Sequence, residues 1–168
     1  MPKIIANLDN RLIGEAKRQI EEEGYSAMTI RSVAKACGVG IGTVYNYFPS
    51  KEALLASWLL QDWKDCVTAI RAVSTYSDAA EPVARCIYDQ LVAFARRHEK
   101  IFCDEAAAAG FAGSFGRYHA MLRGQLAEPL QKFCTREFAA EFTAEALLTW
   151  SMAGKSFEEI WGMVETLF

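Results

Sequence analysis

Residues 29–51, with the sequence TIRSVAKACGVGIGTVYNYFPSK, constrain the possible folds more than any other stretch. The Thr29 hydroxyl can accept a free N–H of a first helical turn, so it predicts a helix over 30–36. Gly38 follows where a chain leaving a helix needs positive φ, which glycine adopts without steric cost. A second helix is predicted over 41–48, and it ends there because the residue before a proline avoids the α region.

The apolar spacing indicates that these two helices pack against each other as a helix-turn-helix. Small residues, Ala34 and Gly38, stand where two steeply crossed helices must touch, and the branched Val44 can fill the space between them. Two amphipathic helices around a glycine are common by chance, so the prediction depends on all three residues together. The shared faces consist of Ile30, Val33, Ala34 and Cys37 on the first helix and Val44, Tyr47 and Phe48 on the second.

The polar face of this stretch is free of acidic residues. From Gly24 to Lys51 the charged residues are Arg31, Lys35 and Lys51, whereas the whole chain has 18 basic and 21 acidic residues and a formal net charge of −3. Residues 1–52 hold seven basic and six acidic residues, a net charge of +1, and the remainder holds 11 and 15, a net charge of −4. The bias favours a polyanionic partner for the N-terminal part, the alternative being a solvated helix face.

Composition excludes several other classes of protein. Hydrophobic residues make up 52% of the 168 residues, which is enough for a packed core in one or two domains. The five cysteines, at 37, 66, 86, 103 and 134, form no CxxC pair and no group with a histidine, so we expect reduced cytosolic thiols, no metal and no cofactor. The first residues are too polar for a signal peptide, and no apolar run approaches the ~18 residues of a membrane span. We therefore expect a cytoplasmic protein without a membrane partner.

The remaining apolar patterns have helical spacing and no strand alternation, so the predicted fold class is all-α. We predict an N-terminal three-helix head over 1–52, joined by a long helix to a helical ligand-binding and dimerisation domain over 53–168. The predicted helices outside the helix-turn-helix are 8–23, 51–73, 79–97, 99–109, 115–137 with a kink at Pro129, and 144–166 capped by Thr143.

The stretch EEEGYSAMTIRSVAKACGVGIGTVYNYFPSKEALL resembles the DNA-binding head of the TetR family of bacterial repressors. The resemblance covers about residues 8–55, and the rest of the chain is similar only in being helical. Gly40 departs from the pattern, because a Ser or Thr often caps the recognition helix there. The matching marks are Gly24-Tyr25, Thr29, Ala34, Gly38-Val39, Gly42-Thr43-Val44-Tyr45, Tyr47-Phe48 and Ser50-Lys51-Glu52. The resemblance implies a transcriptional regulator that binds double-stranded DNA.

Four residues are candidates for contacts with the DNA backbone. Thr29 and the free N–H groups of its helix can hold a phosphate. Lys51 can reach another phosphate, and the phenols of Tyr45 and Tyr47 are long enough to meet backbone oxygens. For each tyrosine the alternative is a packing role, above all for Tyr47, which lies on the inner face of its helix. Lys35 is interpreted as a solvated charge.

Four further residues are candidates for reading the DNA bases. Gly42 allows close approach, the Thr43 methyl group can meet a thymine methyl, and Asn46 can pair with adenine through two hydrogen bonds. Arg31 is a candidate for either a guanine or a phosphate.

The C-terminal two thirds offers a candidate homodimer surface. Two helices from each subunit would form a four-helix bundle through two stripes of apolar and small residues, which could instead be core of one chain. The candidate interface residues are Leu122, Leu126, Leu130, Phe133, Trp150, Ser151, Gly154, Phe157 and Trp161.

The same region offers a candidate cavity for a small-molecule effector. Aromatic side chains at helical spacing are more often plain core, so this assignment competes with ordinary packing. An apolar lining would favour a hydrophobic effector, with His98 or His119 as a polar anchor. The candidate lining residues are Trp58, Trp63, Phe94, Phe102, Phe115, Tyr118 and Met121.

These features favour a ligand-responsive transcriptional repressor over two other classes. A helical interaction protein that keeps the head as a scaffold predicts acidic residues between Gly24 and Lys51, and there are none. An enzyme is not expected, because we find no paired carboxylates, nucleophile motif, phosphate-binding glycine loop or metal spacing. Ligand-independent and redox-sensing regulation stay open, the latter through Cys37 in the turn, although a buried inert thiol fits that position as well.

Overall fold

The computed structural model describes residues 7–168, with the backbone alone at Phe115. Within these residues it contains α-helices and 3₁₀ segments and no strand, which confirms the all-α prediction. The ten α-helices are Leu8–Glu23 (α1), Ile30–Cys37 (α2), Ile41–Tyr47 (α3), Lys51–Tyr76 (α4), Ala80–Arg97 (α5), Glu99–Phe102 (α6), Glu105–Phe111 (α7), Phe115–Ala127 (α8), Ala139–Met152 (α9) and Phe157–Val164 (α10). The 3₁₀ segments are Ala112–Ser114, Glu128–Phe133 and Glu165–Leu167.

The first compact unit contains the described residues up to 61 together with 98–112. Its core is built from α1, α2, α3 and the start of α4, and α6 and α7 add Ile101 and Ala107. The unit thus extends beyond the head predicted to end at residue 52, because two short helices later in the chain bury apolar side chains in the same core. The core side chains that are least exposed include Leu12, Ile20, Met28, Val33, Val44 and Leu54.

The second compact unit contains residues 62–97 and 113–168. Its core joins the rest of α4 with α5, the end of α8, the 3₁₀ segment Glu128–Phe133, α9 and α10. Its buried side chains include Trp63, Ile70, Ile87, Leu126, Leu130 and Leu147. In the described part of the chain, no helix is both long enough and apolar enough to cross a membrane.

The helix predicted over 99–109 is divided into α6 and α7. Cys103 ends α6, and Asp104 begins α7 as a true N-cap: its carboxylate accepts the backbone N–H groups of Ala106 at 2.9 Å and Ala107 at 3.0 Å. An aspartate favours a cap over a helix interior because its side chain competes for backbone hydrogen bonds. The single-helix prediction was therefore wrong at this position.

The two long C-terminal helices were also predicted wrongly. Instead of 115–137, α8 ends at Ala127 and a 3₁₀ segment containing Pro129 follows, because proline lacks the N–H that a continuing helix needs. Instead of 144–166, α9 begins at Ala139, so Thr143 is a buried interior residue and no cap.

The break between α9 and α10 has its own local cause. Gly154 adopts φ 80°, and Ser156 with Glu159 forms a capping box that starts α10. The Ser156 hydroxyl accepts the Glu159 N–H at 3.2 Å, and the Glu159 carboxylate accepts the Ser156 N–H at 2.9 Å. Both orphan donors are satisfied, so the chain ends one helix and begins another here.

Candidate nucleic-acid interface

The N-terminus of α2 is fixed by a reciprocal cap. The Thr29 hydroxyl accepts the backbone N–H of Ser32 at 3.0 Å, and the Ser32 hydroxyl accepts the backbone N–H of Thr29 at 3.0 Å. Ser32 also donates to the amide oxygen of Gln19 on α1 at 2.5 Å, and Gln19 donates to Glu15 at 2.7 Å. Thr29 is exposed, so its own hydroxyl proton faces solvent beside the free N–H groups of the helix.

The turn between α2 and α3 has the geometry expected of a glycine. Gly38 has φ 68° and ψ 33°, in the left-handed region, and the Val39 N–H donates to the Ala34 carbonyl at 3.0 Å. Arg11 on α1 donates to the Cys37 carbonyl at 3.0 Å, which satisfies a carbonyl at the C-terminus of α2. The turn is therefore stabilised by one hydrogen bond within it and by a second from α1.

The recognition helix α3 buries one side chain and presents the others. Val44 is fully buried, while Tyr45 is 51% exposed and Tyr47 is 40% exposed. Gly42 and Asn46 are also exposed, and Thr43 is half-buried. A short helix held by one apolar side chain thus leaves its remaining surface exposed to solvent.

Lys51 is more constrained than the sequence indicated. Its ammonium donates to the Tyr25 carbonyl at 2.5 Å and lies 3.8 Å from the centroid of the Tyr25 ring. Burial lowers the pKa of Lys51, and the carboxylates of Glu52 and Asp104 oppose this shift. The side chain is half-buried and is held at the start of α4, where Ser50 caps the helix by accepting the Ala53 N–H at 3.1 Å.

The cysteines are all free thiols. Cys37 is half-buried and donates to the Arg11 carbonyl at 3.7 Å, and burial raises its pKa. Burial also raises the pKa of Cys66, Cys86 and Cys134. A raised pKa lowers the thiolate fraction, so these four thiols have little reactivity. Within residues 7–168, no group of three metal-ligating side chains forms a metal site.

The candidate effector residues fall into both compact units. Trp58, His98 and Phe102 belong to the first unit, where the His98 ring lies edge-on to Trp58 at 4.9 Å and to Phe102 at 6.3 Å. Trp63 and Phe94 belong to the second unit, with ring centroids 5.4 Å apart. The second unit also holds the candidates Tyr118 and Met121, both half-buried, and Phe115, whose side chain lies outside the described residues.

Sequence reasoning missed the polar partner of Trp63. The indole N–H donates to the Gln125 side-chain oxygen at 2.6 Å. Gln125 lies on α8 at the spacing that puts it on the same face as Tyr118 and Met121. That spacing could have indicated, from the sequence alone, that Gln125 lies beside the candidate effector residues.

The nine candidate dimer residues differ widely in exposure. Leu126, Leu130, Ser151 and Phe157 are buried inside the chain, and Leu122, Phe133 and Trp161 are half-buried. Only Trp150 and Gly154 are exposed. The two apolar stripes thus contribute mainly to the core of the second unit.

Large apolar side chains are also exposed at the N-cap of α9 and along the helix itself. Phe138 is 64% exposed, Phe142 49%, Trp150 52% and Met152 52%, and the rings of Phe138 and Phe142 are 6.2 Å apart. Phe138 and Phe142 lie between two of the helices predicted from the sequence, and Trp150 is one of the candidate interface residues named there.

A three-helix head with a glycine turn between two short helices, and with an acid-free exposed face, defines the helix-turn-helix class of proteins. The description "Bacterial regulatory proteins, tetR family" belongs to the family model that matches residues 12–57. The crystal structure of RolR without ligand resembles the chain with a TM-score of 0.64 and 25% identity, covering 94% of this chain and 89% of that one. Residues 12–57 of the chain are thus similar to the DNA-binding head of the TetR family.

The curated relatives described here match less than half of the chain. The uncharacterized HTH-type transcriptional regulator YuxN of Bacillus subtilis is 34% identical over 74 residues, covering 44% of this chain and 25% of YuxN. The HTH-type transcriptional repressor KstR of Rhodococcus jostii is 46% identical over 41 residues, covering 24% of this chain and 19% of KstR. The match thus spans a quarter or less of these two relatives. They are regulators by name, in agreement with the prediction that the chain is not an enzyme.

Proposed function

We propose that the chain is a sequence-specific, DNA-binding transcriptional regulator, most simply a cytoplasmic homodimeric repressor released from a palindromic operator by a small hydrophobic ligand. The observation that carries the proposal is the exposed face of α2 and α3, which has basic and polar side chains and no acidic residue. The names of the relatives, which include a repressor, support it. The raised pKa values of four thiols give no support to the redox-sensing alternative.

The head would position itself on the phosphates and read the bases with α3. Thr29, with the free N–H groups of α2, would hold one phosphate, and Lys51 another. The exposed phenols of Tyr45 and Tyr47 would add backbone contacts. Gly42, Thr43 and Asn46 would face the base edges, and Arg31 would reach a guanine or a phosphate. The proposed contacts are thus the following: Thr29, Arg31, Gly42, Thr43, Tyr45, Asn46, Tyr47 and Lys51.

Selection of DNA by the purified protein tests this function. We expect enrichment of a palindromic duplex from a random pool, since two identical heads would read two half-sites. Asn46→Ala is expected to lose preference at one or two positions of each half-site, by ~1–3 kcal/mol, with other positions unchanged. Sequencing of the pools selected by the wild type and by Asn46→Ala measures both effects. A pool without any enriched sequence would contradict the proposed function.

We assign the proposed dimer surface to α9 and α10, using exposure as the criterion. Phe138 at the N-cap of α9, Phe142, Trp150 and Met152 on α9, and Met163 on α10 are exposed apolar side chains of the second unit. An isologous contact between two copies would cover them and bring the two last helices of each subunit together. The buried candidates Leu126, Leu130 and Phe157 would support this surface from within the chain.

We place the proposed effector site in the second unit. Trp63, Phe94, Tyr118 and Met121 would supply an apolar surface, with Gln125 as the polar group that orients a ligand. Helix α4 continues from Lys51 to Tyr76, so it carries both the Lys51 contact and Trp63. To change the ratio of the released state to the DNA-binding state from 1:99 to 99:1, an effector would have to bind the released state more tightly by ~5.5 kcal/mol.

A panel of aromatic compounds tests the effector proposal. Binding beside Trp63 is expected to change tryptophan fluorescence and to release operator DNA over the same concentration range. Met121→Ala should raise the concentration of compound needed for both signals, whereas Phe102→Ala in the first unit serves as the matched control and should leave it unchanged. Release that is equally sensitive to Phe102→Ala, or fluorescence change without release, would place the regulatory site elsewhere.

A further inference from the structure

Lys51 is held in place before any DNA binds. Its ammonium donates to the Tyr25 carbonyl at 2.5 Å and lies 3.8 Å from the centre of the Tyr25 ring. A cation over an aromatic face is attracted by the negative face of the ring, and a free lysine side chain would otherwise sample many rotamers. The carbonyl and the ring therefore restrict the ammonium to one place beside α4.

Tyr25 is itself fixed by burial and by a hydrogen bond to α4. Its side chain is 3% exposed, and its hydroxyl donates to a Glu52 carboxylate oxygen at 3.3 Å. Burial, with the charge of Glu52, raises the pKa of Tyr25 to about 12, so the phenol stays a donor at neutral pH. Glu52 in turn lies against Gly110 of α7, where an added Cβ would meet the Glu52 Cγ at 3.0 Å.

The donors of the ammonium are not exhausted by this arrangement. A lysine ammonium has three N–H donors and no acceptor, and the Tyr25 carbonyl takes one. Contacts that are already formed in the free protein lower the cost of ordering a side chain on binding. A phosphate at the start of α4 would thus meet an ammonium that has lost most of its freedom.

We propose that Tyr25 is a positioning residue that holds the Lys51 ammonium ready for a DNA phosphate, and that Glu52 of α4 fixes the Tyr25 side chain. The proposal rests on the proposed function, since it needs the Lys51–phosphate contact. Tyr25 itself is buried and does not touch DNA. Its backbone carbonyl and its ring act on DNA only through Lys51.

The experiment is a salt titration of binding to a short random-sequence DNA duplex, because phosphate contacts are independent of sequence and each adds to the salt slope. Lys51→Met is expected to lower the slope by about one. Tyr25→Leu removes the ring and is expected to weaken binding about 3- to 10-fold. Tyr25→Phe keeps ring and carbonyl, so it is expected to rescue most of that loss.

The double variant separates positioning from stability. If Tyr25 acts through Lys51, Tyr25→Leu has no further effect on DNA binding when Lys51→Met is present, whereas independent effects add. Met28→Ala, which also removes buried volume from the first core, controls for lost stability and should leave the salt slope as in the wild type. If Tyr25→Leu does not fold, Tyr25→Met gives the same comparison with a flexible apolar side chain.

Two results would overturn the proposal in different ways. Additive effects of Tyr25→Leu and Lys51→Met would show that Tyr25 does not act through Lys51, while the Lys51 contact and the proposed function stand. If Lys51→Met has the same salt slope as the wild type, Lys51 does not contact a phosphate, and Tyr25 then has no positioning role. The proposed function as a whole fails only if no DNA sequence is enriched in the selection.

Discussion

Replacement of Phe142 and Trp150 together by glutamate is expected to convert a dimer into monomers and to weaken operator binding by a factor of ~10²–10⁴. The two side chains lie on α9 and are about half exposed, at 49% and 52%. Four carboxylates brought together at an isologous contact would repel one another and would lose their hydration. Each head would then bind its half-site alone, without the high effective concentration that a dimer provides.

Light scattering measures the mass, and gel shifts with the selected palindrome measure the affinity. Tyr76→Glu is the matched control, because Tyr76 is an exposed aromatic residue of the same unit, 87% exposed, on α4. The control should remain dimeric and bind normally. A Phe142→Glu, Trp150→Glu protein that stays dimeric would move the interface away from α9. Monomers with undiminished affinity would mean that one head is sufficient for binding.

The helix-turn-helix could be predicted closely because its signals are local. The predicted helix 8–23 has the observed bounds of α1, and the helices predicted over 30–36 and 41–48 each differ by one residue from α2 and α3. Thr29 and Gly38 act within a few residues of their position in the chain. The position of a cap residue or of a glycine with positive φ can therefore be predicted from the neighbouring sequence alone.

The helix bounds of the C-terminal part were predicted less well, because several residues there could each begin a helix. Thr143 and Ser156 are both plausible caps, and only Ser156 has a glutamate three residues later and a glycine two residues before it. That combination was the better signal, and the structure uses it. Which face of α9 is exposed depends on packing with other helices, and an apolar helix does not reveal this by its period.

The contacts that support the candidate site are long-range, which explains why the sequence did not reveal them. Arg11 reaches the Cys37 carbonyl across 26 positions, and Lys51 reaches the Tyr25 carbonyl across the same number. Gln19 meets Ser32 across 13. Residue types indicate which groups can bond, whereas the partner is set by how α1, α2 and α4 pack.

Gly38→Val is expected to reduce the free energy of unfolding by roughly 2–3 kcal/mol and to weaken DNA binding with it. Gly38 has φ 68°, a conformation that a β-branched residue adopts only with strain, although a Cβ would meet no heavy atom within 4 Å. The loss therefore comes from the backbone and not from a clash. Because the Val39 N–H bond to Ala34 depends on this turn, the orientation of α3 should change as well.

Gly42→Val is the matched substitution and separates stability from recognition. Gly42 lies inside α3 with helical φ, and a Cβ there also meets nothing within 4 Å, so the unfolding free energy should change by less than about 0.5 kcal/mol. Its exposed position would nevertheless put two methyl groups between α3 and the base edges, and specific DNA binding should fall. Denaturant unfolding and operator titration of both variants measure the two effects. If Gly42→Val binds the operator as well as the wild type does, α3 does not approach the bases at Gly42, and the base-reading role must pass to Thr43 and Asn46.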